Sequence, residues 1–92
     1  MAYSFLKYFR GICRLIAFVF IRVEVDQVSK VASQIMKVEG VEEVHEVAGD
    51  IDIIVKVSAR NIDDLSKTIF KIREINGVQG TDTRIVLASY SR

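Results

Sequence analysis

The densest polar cluster in the sequence is Gly49-Asp50-Ile51-Asp52, which sets two carboxylates beside backbone loosened by glycine. A second polar group, Thr81-Asp82-Thr83, lies near the end of the chain. Carboxylates and carbonyls accept from an α-ammonium group, and backbone N–H groups and hydroxyls donate to an α-carboxylate, so this mixture suits a small zwitterion. The same residues also serve plain structural ends, because Gly-Asp is a common hairpin turn and Thr a common strand residue. Few other side chains offer chemistry. His45 is the single histidine, and its strand neighbour on the same face is Glu43. That pair lacks the further acid, base or nucleophile that catalysis requires. His45, Asp50 and Asp52 follow no metal-ligand spacing, so neither a metal nor a cofactor is expected. Cys13 is alone, which excludes an internal disulfide and makes an intracellular, cytoplasmic setting the default.

These groups must be held by a small scaffold. The chain has 92 residues, half of them hydrophobic and 27% charged, which fits one packed domain and argues against disorder. Its formal net charge of +1 mixes both signs along the sequence and leaves no electrostatic footprint for a nucleic acid. The organisation is legible as a repeat. A shift of 37 positions lays Asp26-x-Val28-Ser29-Lys30, Ile35, Val38 and Gly40-Val41 on Asp63-x-Leu65-Ser66-Lys67, Ile72, Ile75 and Gly77-Val78. A self-match at constant offset marks one supersecondary unit used twice. Each unit reads strand, helix, strand, so the pair predicts a ferredoxin-like β-α-β-β-α-β protomer of the α+β class.

Residues 15–24 carry two apolar rows, Ala17/Val19/Ile21/Val23 and Phe18/Phe20, and so predict a strand needing cover on both faces. Asp26 is the expected cap of a helix whose buried stripe is Val28, Val31, Ala32, Ile35 and Val38, with Gly40 as its stop. Strands are expected over 41–48, 51–58 and 81–88, with Gly49-Asp50 turning the central hairpin. Asn61, with Asp64 three residues on, predicts the cap of a second helix buried through Ile62, Leu65, Ile69, Ile72 and Ile75. Both helices then cover one face of a four-stranded antiparallel sheet. On the other face, Phe18, Phe20, Ile54 and Val86 interrupt what should be polar rows, which predicts a dimer interface there.

The domain reading is an N-terminal extension over 1–15, basic and aromatic, a ligand-binding domain over 16–88 and a tail over 89–92. The apolar run from Leu15 to Ile21 falls well short of the roughly twenty residues of a membrane span and is bracketed by Arg14 and Arg22, so no membrane contact is expected.

Residues 16–88 resemble the effector-binding module of the Lrp/AsnC family of transcription regulators. The resemblance is carried by Ala17-Phe18-Val19-Phe20-Ile21, Val38-Glu39-Gly40-Val41, Ala48-Gly49-Asp50-Ile51-Asp52-Ile53-Ile54, Ile75-Asn76-Gly77-Val78 and Thr81-Asp82-Thr83-Arg84-Ile85-Val86-Leu87. Gly-x-x-Asp followed by Thr-x-Thr is its more specific part. It implies a protomer that dimerises through its sheet as a dimeric α-β barrel and assembles into octameric or decameric rings, with amino acids bound between dimers. On that basis Gly49, Asp50 and Asp52 of the hairpin and Thr81 and Thr83 of the last strand are implied ligand contacts. Two departures stand out. Fifteen residues ahead of the first strand are too few for a helix-turn-helix reader, so DNA contact is expected only through co-assembly with a full-length Lrp/AsnC regulator. Ile51 occupies a position that is commonly aromatic in the family.

Three other readings share the fold. An ACT-like regulatory domain keeps the ligand class and alters the assembly. A small dimeric α-β barrel enzyme lacks its catalytic set here, so no enzymatic activity is expected. An RNA-recognition domain needs aromatic residues on its central strands, and 51–58 has none.

Overall fold

The computed structural model describes residues 14–92. Cys13 and nearly all of the expected N-terminal extension lie outside the described residues. The elements are β1 (Leu15–Val23), α1 (Val28–Ile35), β2 (Val41–Glu46), β3 (Ile53–Ala59), α2 (Ile62–Arg73) and β4 (Val78–Ile85). Their order is the expected β-α-β-β-α-β. The strands form one antiparallel sheet in the order β2-β3-β1-β4.

The doubly apolar β1 sits between β3 and β4, where a strand is shielded on both edges as well as by its faces. Ala17, Val19 and Ile21 are fully buried toward the helices, and Val23 nearly so. They meet Val31, Ala32 and Ile35 of α1, Leu65 and Ile72 of α2, and the inward row Ile53, Val55, Val57 and Ala59 of β3. Of the apolar positions that the repeat aligns, Ile35, Leu65 and Ile72 lie in this core and Val28, Val38, Val41, Ile75 and Val78 pack against it. Val38 and Ile75, expected inside the helices, lie just beyond their ends and still pack against it.

The two helices start differently. At α2 the Asn61 side chain accepts from the Asp64 N–H at 2.9 Å, and Asp63 and Asp64 complement the positive end of the helix. At α1 the expected cap is not made. Asp26 has φ 72°, in the left-handed region that aspartate tolerates, and the capping position passes to Gln27, whose side chain makes no cap bond.

Strand ends shift as well. β2 stops at Glu46 and β3 begins at Ile53, because the Val47 N–H donates to the Asp52 carbonyl at 2.9 Å and encloses a four-residue loop, 48–51. β4 begins at Val78 rather than Thr81 and ends at Ile85, short of the expected Ala88. Gly40, at φ +99°, is required where α1 hands over to β2. A Cβ there would stand 2.8 Å from the Thr68 Oγ1, which donates to the Glu39 carbonyl at 3.1 Å and ties this connection to α2.

Candidate functional site

The loop 48–51 projects beyond the end of β1. Gly49 is exposed at φ +135° with open space around it, and Asp50 is exposed with no ion pair or side-chain hydrogen bond among the described residues. Asp52 differs. Its Oδ2 accepts from the Val23 N–H at 2.8 Å, while its own N–H donates to the Ile21 carbonyl at 3.0 Å. A carboxylate on a backbone N–H is a charge-assisted bond, and here it fixes the loop to the end of β1 where the β1/β4 register slips at Arg22/Val23. Of the two aspartates, one anchors the loop and the other is left free.

Thr81 pairs with Ile21 and Thr83 with Val19 across the β1/β4 ladder, so both hydroxyls stand on the helix-covered side, at the uncapped sheet edge. Thr81 is half-buried and lines a depression of about 440 Å³ with Arg73 and Gly80; Thr83 is exposed. The Asp52 N–H and Thr81 both flank Ile21, from opposite sides, so two strand spacings of roughly 4.8 Å separate them. The protomer therefore brings the loop and Thr81 to the same end of β1, with Thr83 opposite the middle of that strand, without closing them around a common cavity.

Among the described residues nothing covers the opposite sheet face, and it carries the four expected interface residues. Phe20 stands opposite Ile54 on one side, and Phe18 opposite Lys56. Val86, just past β4, reaches the same row through its N–H to the Ile16 carbonyl at 2.8 Å. All four are half-buried. Charged residues that the apolar pattern did not single out complete the face. Arg84 pairs with Asp82 at 3.1 Å and lays its guanidinium 4.8 Å from the Phe20 ring centroid. Lys56 approaches Glu42 and Glu43 at 3.7 and 3.9 Å, and His45 Nε2 lies 3.0 Å from Glu43 Oε1. That hydrogen bond, with Lys56 nearby, holds the Glu43 carboxyl below the usual carboxylate range. The alternation Asp82-x-Arg84 was visible in the sequence; its position over Phe20 required the register.

Among the described residues no three His, Cys, Asp or Glu side chains converge, and no helix is long and apolar enough to cross a membrane.

The family model of the Lrp/AsnC ligand binding domain matches residues 16–92. The chain belongs to this family. HTH-type transcriptional regulator FL11 of Pyrococcus abyssi is 38% identical to this Lrp/AsnC domain over 76 residues, which are 83% of this chain and 50% of that protein. The chain spans about half the length of such relatives. A stretch of homocitrate synthase from Sulfolobus acidocaldarius also matches, 42% identical over 59 residues, covering 64% of this chain and 13% of that enzyme. Among solved structures, TTHA0845 from Thermus thermophilus superposes with a TM-score of 0.79 at 28% identity, covering 85% of this chain and 99% of that one. The L-Met complex of the transcriptional regulator NMB0573 from Neisseria meningitidis has a TM-score of 0.75 at 17% identity, covering 85% of this chain and 53% of that one, and shows the shared fold.

Proposed function

We propose that this Lrp/AsnC domain is a non-enzymatic, oligomeric sensor of amino acids, and that the ligand seat is completed by a second protomer. The observation that carries the reading is the division of labour in the loop. Asp52 holds the loop in place, and Asp50 beside Gly49 presents a carboxylate and backbone N–H groups that no described residue uses. An α-ammonium group would pair with Asp50 and the second oxygen of Asp52. An α-carboxylate would take the loop N–H groups of one protomer and the Thr81 and Thr83 hydroxyls brought in by a neighbouring one. Because one protomer leaves these groups open to water, a neighbouring dimer supplies the wall that excludes it. The L-Met bound by the Neisseria regulator supports the ligand class.

Phe18, Phe20, Ile54 and Val86 form the dimer contact in this reading, sheet against sheet, and dimers associate further into octamers or decamers. The regulatory output passes through co-assembly with longer Lrp/AsnC regulators in the cytoplasm. Calorimetric titration of the assembled protein with each standard amino acid tests the proposal. One or a few should release saturable heat, and Asp50→Ala should weaken that binding by about 1.5–3 kcal/mol, the scale of a lost charge-assisted partner. Absence of heat with every amino acid, or an affinity untouched by Asp50→Ala, contradicts it.

A further inference from the structure

At the opposite end of β1 from the loop, about 20 Å away along the strand, a second feature stands unused by the amino-acid reading. A cleft of about 600 Å³ opens between the end of β3, the α1–β2 connection and the flank of α2. Its volume falls within the usual range for metabolite pockets. The lining carries four cations, Arg14, Arg60, Lys67 and Lys71, against two carboxylates, Glu39 and Asp64.

One pair is already spent. Arg60 Nε donates to Asp64 Oδ2 at 2.7 Å, an ion pair that raises the arginine's pKa and lowers the aspartate's. No described carboxylate comes within 4 Å of Arg14, Lys67 or Lys71, while at longer range Asp64 also feels Lys67 and Glu39 feels Arg60, so the lining keeps more positive than negative charge. Residues 1–13 contain Lys7 and Arg10 and no Asp or Glu. Lys67 and Lys71 are four apart on α2, a spacing at which like charges repel. The floor beneath them is fixed, since Thr68 is bonded to the Glu39 carbonyl and Gly40 admits no side chain against it.

An excess of four cations over two carboxylates above a concave floor favours an anion, and the arrangement has the scale of a small molecule. The chain as a whole has mixed charge and a net of only +1, which gives little electrostatic footprint for a nucleic acid. We infer that this cleft binds a small metabolite carrying two or more negative charges, a phosphoester or a polycarboxylate. The inference is independent of the amino-acid seat, with which the cleft shares no residue.

Titration of the whole 92-residue protein with pyrophosphate and with citrate at low salt, followed by amide NMR, tests it. Saturable shifts centred on Gly40, Arg60 and Thr68 are expected, fading as salt rises. The double variant Lys67→Gln/Lys71→Gln, both positions being exposed, should keep the wild-type circular dichroism and weaken binding by about tenfold or more. A response to pyrophosphate alone identifies a phosphoester ligand, and one to citrate alone a polycarboxylate. No saturable response to either, an affinity unchanged in the double variant, or displacement of the bound anion by duplex DNA would overturn the inference.

Discussion

Ala17, Val19 and Ile21 have no exposed surface, whereas Phe18 and Phe20, one residue out of phase on the same strand, retain part of theirs. The two rows belong to opposite faces of one sheet and are both apolar, yet the chain uses them differently. Toward the helices β1 is enclosed by the side chains of α1, α2 and β3, with no polar group facing it from β3. On the bare face the same strand is flanked by Lys56 and Arg84 opposite Phe18 and by Asp82 opposite Phe20. The first row holds the protomer together. The second keeps an aromatic centre inside a charged frame, the composition expected of a surface that meets another protein.

The sharpest way to separate these roles is to shorten one side chain from each row. Ile21→Ala, at the fully buried position, should lower unfolding stability by about 2–5 kcal/mol in urea denaturation, because the cavity it leaves cannot collapse around a central strand. An effect below about 1 kcal/mol would show that the helix-covered row is not the one that holds the fold. Ser58 is the converse case. It lies on the β3 row of Ile54 and Lys56, and its hydroxyl is buried with no hydrogen-bond partner among the described residues. Ser58→Ala removes an unsatisfied group and should leave the protomer as stable or raise its stability by up to about 1 kcal/mol. A clear loss on the same denaturation curve would mean that the hydroxyl has a partner across the bare face.

The smallest effect concerns protonation on that face. The Glu43 carboxyl is depressed first by the hydrogen bond from His45 and then by the charge of Lys56. Its folded-state value lies below its unfolded one, so its favourable contribution is complete above the unfolded value and is lost as the pH falls through the folded value. In His45→Ala the Glu43 midpoint, followed by carboxyl NMR, should move upward toward the ordinary carboxylate range. An unmoved midpoint would assign the depression to Lys56 instead.

Much of this architecture is legible in the residues alone, for identifiable reasons. Val31, Ile35, Leu65 and Ile72 recur at helical spacing in the two helices, and those positions are in the core. Asn61 caps α2 as its local pattern predicts, since the cap depends only on residues 61–64. Asp26 has the same chemistry and does not cap, because its backbone enters the left-handed region and the capping position falls on Gln27. Long-range register is what sequence patterns carry least well. Nothing local to Asp52 indicates that its carboxylate is committed to Val23, and nothing local to Arg84 indicates that it covers Phe20. For the same reason Thr81 and Thr83 are recognisable as candidates through resemblance to the family, while their place across Ile21 from the loop emerges only when β4 is paired with β1.

The central claim is that the bare face is an interface between copies of this chain, and sedimentation velocity at micromolar concentration tests it most directly. Wild-type protein should sediment as a dimer or a larger closed assembly, and Phe20→Asp should sediment as a smaller species that retains the wild-type circular dichroism. A wild-type protein that is folded and monomeric under those conditions would contradict the account.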